Sequence, residues 1–508
     1  MNTATPNLGE RAITAALWRL SGNGAQTLLQ LLVVLLLARL LEPRVMGLVT
    51  AALAVTKFAD LFWQLGLGEA LIQRPVLEKR HLTTAFTVSL VSGTGFALPL
   101  WLAAPALAAW FGWPELAPVL RALAWLFPLN GLGVAAEALL RRELQFRELA
   151  VIELCANFLG TGVTGVTLAW CGYGVNALVG AALAQALVKT CLLLARRPPS
   201  GVACEWAACR DLANFGGGFT LTRVCNYFAL QGDNLVVGHG LGAEALGLYS
   251  RAYSLMNNCV ALFAKVLDEV LFAALSQMQD ETARMRQAYE RTVRVLTLLV
   301  LPVSAGLVVL APEIVRLLLG AQWSGAIEPF RVFAGAIILR SGYKISISVA
   351  RAQGAVYALA WRQAVYGILT LVLAWLGVRG GGLRGVAWGV TVAMAANHLM
   401  LAQLSLKLLG LRGRDFLRWH LAAVPAMALA GLTAWGAATQ LRALTSSDWL
   451  ICSGTAGAVA LALLTGTLAA PRPLWGTEGA SLAQLINKRR GKGRSLLLAE
   501  ARTSVRAS

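Results

Sequence analysis

Charge is scarce in this chain, and acid is scarcer than base. Only 14% of its 508 residues are Asp, Glu, Lys or Arg, with 25 acidic residues set against 44 basic ones; soluble domains carry roughly 25% charged residues. Motifs for familiar chemistry are scarce too. No G-x-x-x-x-G-K-[ST] run is present to cradle nucleotide phosphates, and Gly216-Gly217-Gly218, followed by Phe219, reads as a flexible helix start. Gly66-Leu67-Gly68 and Gly131-Leu132-Gly133 lack the third glycine and the preceding strand that dinucleotide binding needs. His81, His239, His398 and His420 lie far apart and form no ligand motif with the cysteines, so neither a metal nor a cofactor is expected. Cys155, Cys171, Cys191, Cys225, Cys259 and Cys452 fall in or beside apolar runs, while Cys204 and Cys209 share one loop; they read as small apolar fillers. The polar segments are too short for a soluble catalytic domain, which argues against an ATP-driven pump or a hydrolase.

What the chain has instead is a rhythm of apolar stretches, each long enough to cross the roughly 30 Å hydrocarbon core of a bilayer. They fall at 12–41, 46–72, 82–109, 115–140, 149–171, 174–195, 212–238, 243–275, 292–319, 327–352, 356–377, 382–408, 416–438 and 449–470, about fourteen in all. The expectation is an all-α, polytopic membrane protein. Met1 to Glu10 is polar and the helix after it is long, so the first span reads as retained rather than as a cleaved signal.

Basic residues mark one side of the membrane. Arg74, Lys79 and Arg80 follow span two; Arg141, Arg142 and Arg147 follow span four; Arg196, Arg197 and Arg210 follow span six. Arg284, Arg286 and Arg291 follow span eight, and Lys407, Arg412 and Arg414 follow span twelve. The odd gaps are short and poor in charge, Arg379 and Arg384 in the eleventh being the exception. Retention of Lys and Arg in the cytoplasm then places both termini there and accounts for the net charge of +19 without nucleic acid. The tail, 471–508, holds Lys488, Arg489, Arg490, Lys492 and Arg494 and reads as a basic cytoplasmic anchor or a binder of anionic lipid heads.

A weak internal repeat supports a two-part organisation. Leu41, Gly47, Leu48 and Ala52 recur as Leu241, Gly247, Leu248 and Ala252, with Met46 and Thr50 answered by Leu246 and Ser250. An even number of spans per copy makes the copies parallel, related by an axis along the membrane normal. The expected organisation is a six-helix lobe over 1–205, a second over 206–410, two additional transmembrane helices in 411–470, and the tail.

Ionisable groups inside a span cost roughly 2.5–3.5 kcal/mol each on insertion scales and persist where they face water or a partner. Span one carries Arg19, Asn23, Gln26 and Gln30; span two carries Lys57 and Asp60 three residues apart. Span seven carries Arg223, Asn226, Gln231, Asp233 and Asn234; span eight carries Arg251, Asn257, Asn258, Lys265 and Asp268; span ten carries Arg340 and Lys344. Two readings stand. Lys57–Asp60 and Lys265–Asp268 can be neutralised structural pairs, and Arg19 and Arg251 can snorkel to the headgroups. Alternatively, Arg19, Arg223, Arg251, Arg340 and Lys344 make a cationic cleft for an anionic, phosphate-bearing ligand, lined by Asn23, Gln26, Asn226, Gln231 and Asn257, with Asp60, Asp233 and Asp268 as ion-coupling candidates.

Asn214-Phe215-Gly216, Asn226-Tyr227, Gln231-Gly232-Asp233-Asn234 and Leu241-Gly242, with the run from Ala245 to Tyr253, resemble the Wzx-type polysaccharide-unit flippases of the multidrug/oligosaccharidyl-lipid/polysaccharide exporter superfamily. Trp18, Leu40-Leu41-Glu42-Pro43, Gly47-Leu48 and the segment Leu65 to Gln73 are similar to matching parts of that family. The resemblance spans roughly 10 to 420, and within the superfamily it points to the exopolysaccharide and lipopolysaccharide branch. It implies a V-shaped bundle that moves an undecaprenyl-diphosphate-linked oligosaccharide from the cytoplasmic to the periplasmic face of a bacterial inner membrane. The partners it implies are that lipid-linked unit, membrane lipids, a polysaccharide polymerase and a chain-length regulator. A cation-coupled multidrug exporter of the same superfamily would want acidic rather than basic residues in its cleft. A membrane polymerase or transferase would need a large loop or a catalytic acidic pair.

Overall fold

The computed structural model describes residues 29–63, 66–74, 77–199, 201–205, 209, 227–277 and 281–469, the side chains of 262–277 excepted. Among the described residues all regular structure is helical, as hydrocarbon requires: a helix satisfies its own backbone groups where no water can. The first helices are α1 (Leu29–Leu40), α2 (Pro43–Trp63), α3 (Leu67–Gln73), α4 (Lys79–Phe111), α5 (Leu116–Arg142), α6 (Phe146–Trp170) and α7 (Val175–Arg196). After them come α8 (227–241), α9 (Ala243–Gln277), α10 (Thr282–Val309), α11 (Ala311–Leu318), α12 (Ile327–Gly335) and α13 (Ile337–Ala352). A continuous run, Val356–Leu409, precedes α16 (Gly413–Leu444) and α17 (Asp448–Ala469). Large apolar side chains such as Leu98, Leu102, Ile368 and Leu432 stand exposed on these helices; in water that would be a liability, and in lipid it is the expected outer face.

Nine described helices are long and apolar enough to cross a membrane. One of them, Val356–Leu409, has 54 residues; at about 1.5 Å per residue it is more than twice as long as one crossing needs. It breaks at Gly381 and Gly382, the latter at φ 56°, ψ −139°, a region that is essentially glycine's own. The halves α14 (356–380) and α15 (383–409) fold back on each other. A Cβ built at Gly385 would overlap the Gly377 carbonyl, and one at Gly389 would overlap that of Leu373. This is the turn expected between spans 356–377 and 382–408. Elsewhere the helical stretch Ala321–Gly335, which ends in α12, and α13 form a pair bent by 45°.

One boundary differs from expectation. Span 292–319 is realised as α10, beginning at Thr282, and the separate helix α11. Met285, Tyr289, Val293 and Leu296 are buried at helical spacing, so the basic cluster Arg284, Arg286 and Arg291 rides on an amphipathic helical extension. A count of apolar residues misses such a stretch because its signal is periodicity, not content.

The chain divides into two compact units. The first comprises 1–251, 318–326 and 363–390; the second comprises 252–317, 327–362 and 391–508. Within each, polar contacts join gaps of like parity. In the first unit Arg142 Nη1 donates to the carbonyls of Leu71 (2.9 Å) and Arg74 (2.5 Å), Arg197 pairs with Glu143, and Arg44 pairs with Glu115 at 2.8 Å. In the second, Arg286 donates to the Leu409 carbonyl and Arg316 pairs with Asp448 at 2.8 Å. Even gaps meet even gaps and odd meet odd, as alternate crossings dictate.

The repeat has a structural counterpart inside the first unit. Gly47 on α2 and Gly247 on α9 pack backbone to backbone: a Cβ at Gly47 would overlap the Ala243 carbonyl, and one at Gly247 would overlap that of Pro43. One turn further along, Thr50 Oγ1 and Ser250 Oγ are 3.5 Å apart.

Candidate functional site

In the second unit α13 carries Arg340 among buried neighbours Ile337, Ile338, Ser341, Gly342 and Ile345. Arg340 itself is only 6% exposed. Its Nε reaches Asn257 Oδ1 at 3.4 Å, and its guanidinium carbon lies 5.7 Å from the ring centre of Tyr253 and 5.5 Å from that of Tyr343. Tyr253 and Asn257 are four residues apart on α9 and so share one helix face. Tyr253 is held in turn by Phe333, edge to face at 5.4 Å. A guanidinium is planar and more weakly hydrated than an ammonium, so it suits a site of aromatic rings and one amide. Lys344 follows one turn later, half-buried. The structure thus unites two expected residues, Arg340 and Asn257, and adds the two tyrosines.

In the first unit Asp233, on α8, is 2% exposed. Its Oδ2 accepts from the Tyr249 hydroxyl at 2.7 Å and its Oδ1 from the Asn234 backbone N–H at 2.9 Å. Asn234 Nδ2 donates to Gln231 Oε1 at 2.9 Å. Asp60, on α2, accepts from Trp63 Nε1 at 2.6 Å, while Lys57 one turn earlier is exposed. Trp63, three residues further on, thus gives Asp60 a hydrogen-bond donor in addition to the charge of Lys57. Arg251 keeps a buried Nε without a hydrogen-bond partner among the described residues. Such a donor is costly to leave unmet.

Arg19, Asn23, Gln26, Arg223 and Asn226 lie outside the described residues, as does the basic tail. Asp268 and Lys265 lie on the backbone of α9, their side chains undescribed.

One charged constellation escaped the sequence reading. Glu137 on α5 accepts from Arg141 Nη2 at 2.5 Å and pairs with Lys189 Nζ of α7 at 2.9 Å. With Glu69, Asn130 and Thr190 these groups line a cavity of about 380 Å³. The same rule that singled out Arg340, a charge within an apolar span, points to Glu137 and Lys189. Histidines separated in sequence also meet: the rings of His398 and His420 are 5.9 Å apart, beside Phe416. Among the described residues no group of three or more His, Cys, Asp or Glu could hold a metal.

Residues 36–328 match the family described as polysaccharide biosynthesis protein, and residues 241–456 match the lipid II flippase MurJ family. The chain is 24% identical to the teichuronic acid biosynthesis protein TuaB of Bacillus subtilis (strain 168), covering 78% of this chain and 82% of that one. It is 31% identical to the succinoglycan biosynthesis transport protein ExoT of Rhizobium meliloti (strain 1021), over 63% of this chain and 65% of ExoT. It is 26% identical to the lipopolysaccharide biosynthesis protein WzxC of Escherichia coli (strain K12), over 66% and 68%. Among solved structures, the fold matches lipid II flippase MurJ in an inward closed conformation with a TM-score of 0.73 at 13% identity, covering 88% of this chain and 97% of that one. A multidrug resistance MATE family transporter of the MOP superfamily, in an inward-facing conformation, matches with a TM-score of 0.61 at 16% identity, over 78% and 98%.

Proposed function

The chain belongs to the polysaccharide biosynthesis protein family, and from that premise we propose that it flips an undecaprenyl-diphosphate-linked oligosaccharide across a bacterial inner membrane, from the cytoplasmic to the periplasmic face. It is a transporter of lipid-linked oligosaccharide rather than an enzyme. The physical obstacle is the headgroup: a diphosphate and several sugars would shed their water on entering hydrocarbon, at several kcal/mol for each polar group. The protein's task is to replace that water while the lipid tail stays in the bilayer.

The observation that carries the reading is Arg340, a buried cation on an amphipathic helix, flanked by Asn257, Tyr253 and Tyr343. A buried permanent positive charge suits an anionic cargo, and a guanidinium fork matches phosphate oxygens. Arg251, whose buried Nε has no hydrogen-bond partner among the described residues, is a further candidate donor. On this reading Arg19, Arg223 and Lys344 complete the cationic lining, and Asn23, Gln26, Asn226 and Gln231 serve the sugars. Asp60, Asp233 and Asp268 are the groups open to a coupling ion. An inside-negative potential favours outward movement of an anion by about 2.3 kcal/mol per charge per 100 mV.

The reading includes two six-helix lobes over 1–205 and 206–410, two further helices in 411–470, and cytoplasmic termini with the basic tail 471–508. A polymerase and a chain-length regulator would receive the flipped unit on the periplasmic side. The test is headgroup exposure in vesicles carrying a lipid-linked oligosaccharide. Arg340→Ala should block exposure with the protein still folded and membrane-inserted; exposure at the wild-type rate would remove Arg340 from the cargo path.

A further inference from the structure

The first unit holds a cavity of about 380 Å³ that the cationic site does not use. Three helices end around it. Ile72 lies in the last turn of α3, Arg141 in the last turn of α5 and Leu193 in the last turn of α7. The cavity therefore sits at the end of the unit that leads into the second, fourth and sixth gaps. Arg142 holds this rim in shape, its Nη1 donating to the carbonyls of Leu71 and Arg74 at 2.9 and 2.5 Å.

The walls are charged and yet balanced: Glu69 and Glu137 stand with Arg141 and Lys189. Glu137 Oε1 accepts from Arg141 Nη2 at 2.5 Å, and Oε2 pairs with Lys189 Nζ at 2.9 Å. An ion pair withdrawn from water seldom stabilises a fold more than apolar side chains of the same size would. A pair that served only to staple α5 to α7 would be best enclosed by such side chains, but this one borders an open space. Glu137 and Lys189 keep 21% and 29% of their side-chain exposure. At Gly68, on α3, a Cβ would meet nothing nearer than Val134 at 3.9 Å, so that wall is bare.

The lining sets the class of occupant. With the two signs balanced, no net charge is left to hold a diphosphate. What remains is hydrogen-bonding capacity of both kinds: carboxylate oxygens, the Asn130 amide, the ammonium hydrogens of Lys189, and the Thr190 hydroxyl, which donates to the Leu129 carbonyl at 2.8 Å and can still accept. A sugar hydroxyl also donates and accepts, so a polyhydroxylated ring matches such walls, with its C–H face against Val134 and Leu193. A volume of about 380 Å³ falls within the range of small-molecule sites, about 300–1,000 Å³, with room for a sugar ring.

We propose that this cavity binds one sugar ring of the lipid-linked unit, through Glu137, Lys189 and Asn130, and so selects which glycan is admitted for transport. This rests on the flippase reading and adds a sugar site, within the first unit, to the phosphate chemistry assigned to Arg340 in the second.

The experiment places a thiol on the bare wall. Gly68→Cys is labelled with a small maleimide, and the wild type gives the background of the native cysteines. The probes are the lipid-linked oligosaccharide that accumulates in cells lacking this protein, the oligosaccharide released from it, and undecaprenyl diphosphate without sugar. The first two should slow labelling several-fold and the third should not. Equal protection by the sugarless lipid would overturn the sugar site. So would the absence of protection by both sugar-bearing probes, or a thiol that never labels in folded protein. In the same background Glu137→Gln/Lys189→Gln keeps the shape of the pair and sheds its charges. The oligosaccharide concentration for half-protection should rise about tenfold or more, as the loss of a hydrogen bond to a charged group dictates. An unchanged concentration would reduce the pair to a staple and overturn its role as the sugar contact. Headgroup exposure by the wild type in vesicles tests the flippase reading separately. If none occurs while the released oligosaccharide still protects Gly68→Cys, that reading falls and the sugar site stands; if exposure proceeds and neither sugar-bearing probe protects, the sugar site falls and the reading stands.

Discussion

The hydroxyl of Tyr249 donates to Asp233 Oδ2 at 2.7 Å and so joins α8 to the start of α9. Both residues are buried, at 0% and 2% exposure. A carboxylate in such a place is tolerated to the extent that donors surround it, and a hydrogen bond to a charged group contributes about 1.5–3 kcal/mol. Tyr249→Phe removes that donor and leaves the ring. The purified variant should unfold at a lower temperature than the wild type. Asp233→Asn, which keeps an acceptor and sheds the charge, should lose less. An unchanged midpoint for Tyr249→Phe would mean that the tyrosine hydroxyl contributes nothing to holding Asp233.

A second prediction concerns the form of the cation at position 340. Lysine keeps the charge and gives up the planar fork and its stacking against Tyr253 and Tyr343. Arg340→Lys should therefore flip more slowly than the wild type and faster than Arg340→Ala. Tyr253→Leu removes one aromatic face 5.7 Å from the guanidinium, an interaction of about 0.5–2 kcal/mol. The apparent affinity for the lipid-linked unit should fall by about 2- to 30-fold, measured as the substrate concentration for half-maximal flipping. Equal rates for arginine and lysine would show that charge alone matters there.

These residues show what a sequence of this kind discloses. The spans are legible because lipid imposes their length and composition, and the turn at Gly381 and Gly382 is legible as the gap between two of them, although only Gly382 has a backbone conformation that calls for glycine. Arg340 stands out as a charge in an apolar run. Tyr253 and Tyr343 do not, since a tyrosine in a span is ordinary until a fold sets it against a cation. Asp60 has a candidate partner on each side, Lys57 and Trp63, at equal spacing; the charge of Lys57 is legible in the sequence, whereas the hydrogen bond from Trp63 needs the ring to be packed, and it is fully buried. The early start of α10 is hidden because its charged residues mask a buried stripe.

The last helical hairpin gives a third prediction. Glu313, 1% exposed, accepts from Arg442 Nε at 2.8 Å and Nη2 at 3.0 Å, and Arg316 bridges onward to Asp448 at 2.8 Å. This network ties α11 to both α16 and α17. Removing one partner of a buried pair leaves the other uncompensated, although Arg442 and Arg316 each retain more than a third of their exposure, so the loss is smaller than for a fully buried ion pair. Glu313→Ala should destabilise by about 1–3 kcal/mol and should quicken trypsin cleavage between α16 and α17. Double replacement, Glu313→Leu with Arg442→Leu, should recover most of the loss. Resistance to trypsin in the single variant would show that apolar packing of Ala438 and Ile451 suffices to hold the hairpin.

The sidedness of the chain can be tested with cysteines it already has. Cys171 and Cys204 are both free and exposed, and they fall in the fifth and sixth gaps, on either side of α7. A single crossing must put them on opposite faces of the membrane. On the proposed topology the basic sixth gap is cytoplasmic, so an impermeant maleimide added to spheroplasts, which expose the outer face of the inner membrane, should label Cys171 and spare Cys204 until the membrane is permeabilised. Cys171→Ser and Cys204→Ser assign the signals. The reverse pattern would invert the whole topology and with it the direction of export. Labelling of both from outside would mean that α7 does not cross, contrary to its 22 apolar-rich residues and to the meeting of even gaps with even and odd with odd.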